Sequence, residues 1–245
     1  MTIKKLPIKL EKEPLLEALF EIRFTSNTPA SAIIPGLLFS KLEGDKKIEQ
    51  LPTAQIPSEI RNTDPNLQFA PTSRLTWNQV HINIGDKNLS ISCSSNYPGW
   101  ESFKSSILVI IEILKGTGII DSIDRYSIKY INMVPLNNSI SPISLVNLDI
   151  AIAKHKILNE FFQLRVEIKN NNFVNVVNII SSAAAQLENG EIKQGIIIDI
   201  DSIATTTELL TDLSQSLDNI RQINTEMFFD CLTPETIKLL EPVYE

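Results

Sequence analysis

Phe161-Phe162-Gln163-Leu164-Arg165-Val166-Glu167-Ile168-Lys169, taken with Phe173–Gln186 and Glu191–Ile203, is the stretch that decides the fold. It reads as three strand-like runs. Asn170-Asn171-Asn172 and Glu188-Asn189-Gly190 separate them and carry the residue types of tight turns. Strands joined by such short turns pair antiparallel.

Working outward, an earlier run repeats the pattern. In Leu15–Phe24, Ala18, Phe20, Ile22 and Phe24 share one face and Glu17, Leu19, Glu21 and Arg23 the other, the period of a half-buried strand. Phe20–Phe24 is similar to Leu164–Ile168, which makes a pseudo-repeat of halves 14–136 and 142–245 within one unit an expectation. Arg74–Ile84 and Asn88–Ser94 predict a hairpin turning at Gly85-Asp86-Lys87, and Asp124–Pro135 a further strand.

Helical spacing appears at Ala30–Leu42, where Pro35-Gly36 predicts a kink, and at Trp100 to about Lys115. In the latter Trp100, Phe103, Ile107, Ile110 or Ile111, and Leu114 form the stripe, and Gly116-Thr117-Gly118 ends it. Thr206–Cys231 carries another stripe of Leu210, Leu213, Leu217, Ile220, Asn224 and Met227, and Thr233-Pro234 starts a terminal helix. Pro142–Lys154 reads as a helix or an irregular connection, and Lys46–Pro71, with its four prolines, as a long surface loop. The class is α+β: a mainly antiparallel sheet with helices packed on one face. Phe20, Ile22, Trp100, Phe103, Ile107, Ile128, Ile198, Ile200, Leu213 and Leu217 are expected to line one core.

Charge narrows the function classes. The 245 residues carry a formal net charge of -7, and the basic clusters Lys4-Lys5 and Lys46-Lys47 are short. A phosphate backbone repels such a chain, which argues against nucleic acid as partner. Met1–Glu13 lacks the apolar run of a secretion signal, and Ile107–Leu114 is too short to span a membrane, so a cytoplasmic protein is expected. Cys93 and Cys231 stand alone and predict packing, not a disulfide framework. No glycine-rich phosphate loop occurs, and no cofactor is expected.

Four segments together resemble a family of sporadically distributed, uncharacterised bacterial proteins of about this length. They are Pro14–Phe24, Tyr97–Phe103, Asp124–Asn132, and Ile198–Asp201 paired with Asn224–Thr233, in the family's order. Ser127 and Lys129 stand where glycine and arginine are more usual, so a second arginine's role is not carried over. The resemblance implies no agreed activity. Its patchy distribution implies mobile cargo of the host-defence or toxin–antitoxin kind.

Candidate sites follow from residue chemistry. Asp199 and Asp201 project from one strand face and, with Glu167, could hold Mg²⁺ for phosphoryl chemistry; the plainer reading is a solvated acidic face backed by buried Ile198 and Ile200. His81 and His155, the two histidines, have no nucleophile beside them in sequence and read as structural. Tyr97, Trp100 and Phe103 form either an aromatic anchor for a partner or the pin that holds a helix to the sheet. Arg125 and Asn132 lie in a buried-looking strand and call for polar partners there.

Three functions are compatible with these residues. A non-enzymatic interaction or regulatory subunit, associating with itself or with another protein, comes first, because catalytic groups are lacking and sheet edges can pair. Phe173–Gln186, free of Pro, Lys and charge, would be a hazard at an edge, so it must be central or covered by a partner. A small-molecule module, its sheet gripping the Thr206–Cys231 helix, comes second, and a metal-dependent nuclease or phosphatase using Asp199, Asp201 and Glu167 third.

Overall fold

A computed structural model describes residues 6–94, 97–136, 140–170, 172–186, 190, 192–205 and 212–244. A short strand β1 (Lys9–Leu10) precedes β2 (Leu15–Thr25), and helix α1 (Ala30–Lys41) follows. Next come β3 (Lys46–Gln50), a 3-10 turn at Pro52–Gln55, helix α2 (Ser58–Thr63), and the strands β4 (Pro71–Trp77), β5 (Val80–Gly85) and β6 (Asn88–Cys93). Helix α3 (Trp100–Leu114) leads to the long strand β7 (Ser122–Pro135) and a 3-10 turn at Pro142–Leu145. A small hairpin, β8 (Ala151–Ile152) and β9 (His155–Lys156), comes before β10 (Gln163–Asn170), β11 (Phe173–Gln186) and β12 (Ile192–Ala204). Helices α4 (Leu213–Cys231) and α5 (Pro234–Leu239) and strand β13 (Pro242–Val243) complete the order.

Nine strands form one sheet in the order β10-β11-β12-β7-β2-β6-β5-β4-β3. The pairs β10–β11, β2–β6, β3–β4, β4–β5 and β5–β6 are antiparallel. With helices packed against it, this is an α+β fold built on a large antiparallel sheet.

The chain divides into two compact units: Met1–Leu16, Lys129–Ser202 and Arg221–Glu245 in the first, Glu17–Ile128 and Ile203–Ile220 in the second. In the second, α1 packs on β4 and β5 and touches α3. Ala18, Phe20, Ile22, Leu75, Ile82, Leu89 and Ile91 are fully buried on the strands, and so are Ile34, Leu38, Phe103 and Ile107 on the helices. In the first, Ile196, Ile198 and Ile200 of β12 and Val177 and Ile179 of β11 pack with Phe228, Phe229 and Leu232. The ten residues expected to line one core are all buried, but Ile198 and Ile200 belong to the first unit and the other eight to the second. The single core is thereby corrected to one for each unit. Within the first unit β1 also pairs with β13, Lys9 opposite Val243, a closure no periodicity announced.

Local chemistry explains where sequence-based expectations needed revision. Lys46–Pro71 is not a loop throughout: it holds β3, the 3-10 turn and α2. Its prolines sit where an amide is not needed, Pro52 at the first position of the 3-10 turn, Pro57 capping α2 and Pro71 opening β4. Arg74–Ile84 is not one strand but β4 and β5, turning at Asn78-Gln79, and Asn78 takes the left-handed φ of 51° that asparagine tolerates. Pro35 lies inside a continuous α1, its ring buried with Ile34 and Leu38, and that burial offsets the missing hydrogen bond. Pro142–Lys154 resolves into a 3-10 turn and a short strand. Thr233 caps α5 as expected, accepting a hydrogen bond from the Thr236 amide. Lys4-Lys5, Asn171, Glu188-Asn189, and the Thr206–Thr211 start of the last long helical pattern with Leu210 lie outside the described residues.

Candidate functional site

Strand β10 ends the sheet order and has β11 as its neighbour on one side. Leu164, Val166 and Ile168 fall opposite Ile179, Val177 and Asn175, so they share the face on which β11 buries Val177 and Ile179. The cover stops short of β10, where Val166 and Ile168 remain 39% and 40% exposed. Phe161, just before the strand, is 67% exposed. Arg165, Glu167 and Lys169 occupy the opposite face, and Arg165 Nη1 lies 2.9 Å from Glu167 Oε1. An outer strand of this kind offers backbone donors and acceptors on its free side together with an apolar row. Phe173–Gln186, the run that would have been hazardous at an edge, is β11, which is enclosed between β10 and β12. The other outer strand, β3, is guarded by lysine: Lys47 is exposed, and Lys46 is tied to the carbonyls of Phe39 and Leu42.

The carboxylates proposed for a metal go separate ways. Lys129 Nζ on β7 reaches Asp199 Oδ2 at 3.0 Å, which leaves the Asp199 side chain 17% exposed. The acidic face is therefore half-buried rather than solvated, because the neighbouring strand places a lysine over it. Glu167 pairs with Arg165 on β10. Among the described residues no group of three or more His, Cys, Asp or Glu is arranged to hold a metal ion.

Trp100 and Phe103 are core residues, 8% and 0% exposed. The Tyr97 ring meets Phe103 edge-on at 5.9 Å, and the Trp100 indole Nε1 donates to Asp218 Oδ1 at 2.9 Å. Lys104 Nζ donates to Asp218 Oδ2 at 2.6 Å, so this aromatic cluster is fastened inside the second unit. A partner cannot reach Phe103 without opening that unit. Arg125 Nη2 donates to Glu21 Oε1 at 3.0 Å, the same oxygen that accepts from Arg23 Nε at 2.9 Å. Arg23 in turn lies over the Phe69 ring, 3.9 Å from its centroid. Asn132 is buried on β7.

The histidines have other uses. His81 Nδ1 is 3.2 Å from the Thr76 hydroxyl, and His155 Nε2 is 2.6 Å from Glu160 Oε1 on an exposed turn. Backbone amides of Leu158 and Glu160 and the His155 ring hold the Glu160 carboxyl down at about 2. Burial pushes the Cys93 thiol up to about 12 and the Cys231 thiol up to about 11, with Glu17 and Asp230 adding to it. Neither is an activated nucleophile. On α3 an open groove of about 540 Å³ is lined by Leu108, Val109, Ile113 and Leu213.

The exposed row of β10 was not singled out from sequence, although its alternation was there to read. The missing signal was strand order, which only long-range pairing decides. No family model matches the chain, and no curated protein matches it.

Proposed function

We propose that this chain is a non-enzymatic interaction subunit that docks another protein chain through β10. One observation carries the reading: the outermost strand of the sheet keeps Val166 and Ile168 exposed beside Phe161. Pairing a strand there satisfies the outward amides and carbonyls and removes apolar surface from water. The interface expected is specific, of roughly 1,000 Å² or more in total. The acidic charge and the dispersed carboxylates favour a protein over a nucleic acid or a metal-bound phosphoester. A product of the same bacterial locus, or the chain itself, is the partner to test. Light scattering across concentration, alone and with each co-encoded protein, should reveal a complex that Val166→Lys weakens. A strict monomer that ignores every co-encoded protein would overturn the reading.

A further inference from the structure

We propose that the strand received by β10 is β10 of a second copy of this chain, running antiparallel about a two-fold axis through Val166. The inference rests on the reading of β10 as the docking strand and adds the occupant and its register. Residues opposite each other in an antiparallel pair point to the same face. With Val166 on the axis, Val166 meets Val166 of the partner subunit, and Leu164 of each copy meets Ile168 of the other. On the opposite face Arg165 of each copy meets Glu167 of the other, so two ion pairs form from one sequence pattern.

The competing registers fail on charge, on face or on length. Slipping by one residue sets the apolar row of one copy beside the charged row of the other. An axis through Arg165 puts arginine on arginine, and an axis through Glu167 puts glutamate on glutamate and Arg165 opposite Lys169. An axis through Ile168 does join Glu167 to Lys169, but it confines the pairing to Val166–Asn170 of the strand that begins at Gln163. The Val166 register alone combines overlap over Gln163–Lys169, matched apolar faces and opposite charges. Within one chain Arg165 and Glu167 already touch at 2.9 Å, with side chains 60% and 57% exposed. Such an exposed pair is weak and is readily shared with a second chain.

Charge reversal tests both occupant and register in the full-length protein. Sedimentation velocity across a concentration series should show a monomer–dimer equilibrium. R165E and E167R should each weaken it about tenfold or more, since each replaces two attractions with two repulsions. The double variant R165E/E167R should restore dimerisation, and an equimolar mixture of the two single variants should form a heterodimer. Circular dichroism of each variant checks that the fold is kept. A wild-type monomer at every concentration, or a dimer indifferent to both reversals, would overturn the proposal. If that monomer still forms a complex with a co-encoded protein, and Val166→Lys weakens it, self-pairing falls while β10 stands as a docking strand. A monomer that binds no co-encoded protein removes both.

Discussion

Asp86 occupies the Asp86-Lys87 turn between β5 and β6 and ties three segments of the second unit together. Its Oδ1 accepts from the Ser31 hydroxyl of α1 at 2.5 Å, and its Oδ2 lies 2.8 Å from both Nε and Nη2 of Arg61 on α2. Burial acts to raise the Asp86 carboxyl, but the Arg61 and Ser31 hydrogen bonds and the charges of Arg61 and Lys87 outweigh it, so the group sits below the ordinary value of 3.8. A depressed carboxyl stabilises the fold above its unfolded value and loses that contribution as pH falls through the folded one. Urea denaturation should therefore show Asp86→Asn less stable than wild type at pH 7, with the difference shrinking towards pH 3. Arg61→Ala leaves the part-buried carboxylate with the Ser31 hydroxyl as its hydrogen-bond donor and should cost about 1–3 kcal/mol. At the same scale, Cys93 and Cys231 stay protonated at pH 8, so a thiol reagent should react slowly with folded protein and rapidly once urea unfolds it. A fast reaction of the folded state would mean that these thiols are more open than their burial indicates.

Helix α4 illustrates what an element asks of its polar positions. Asn224 lies on the apolar stripe and is fully buried, yet its amide nitrogen donates to the Ile200 carbonyl at 2.9 Å and to the Ser202 hydroxyl at 3.0 Å. Ser202 passes the link to Asn175 Oδ1 at 2.6 Å, so α4, β12 and β11 share one buried polar chain in the first unit. Asn224→Leu keeps the apolar pattern and strands these partners, which should lower stability by about 1–3 kcal/mol in thermal or urea unfolding. An unchanged variant would show that the chain is not needed to seat the helix. The stripe of α4 could be read from spacing; the reason for an asparagine in it could not, because its partners are more than twenty residues away.

Considered whole, the described residues bring no three His, Cys, Asp or Glu side chains together to hold a metal ion. Asp199 is matched to Lys129, Glu167 to Arg165, and the net charge of -7 opposes a polyanionic substrate. Incubation with single- and double-stranded DNA and RNA in Mg²⁺ or Mn²⁺ should leave them intact. Cleavage that disappears in an Asp199→Ala, Asp201→Ala double variant would restore the metal-dependent reading.

Periodicity alone determined most of the elements. β2, α3, β11 and β12 appear within a residue or two of their expected bounds, because alternation and helical stripes are written locally in the order of side chains. The α+β class followed from their number and from the short turns between them. Tertiary structure decided which strand lies outermost, which buried residues share a core, and which charged groups meet. Pairing of β10 with β11 at one end of the sheet order, of Lys129 with Asp199, and of Lys9 with Val243 brings together groups that sequence keeps apart. The physical reason is that burial and hydrogen bonding act through space: a face reads as apolar from its own residues, but whether it is covered depends on the chain that returns to it.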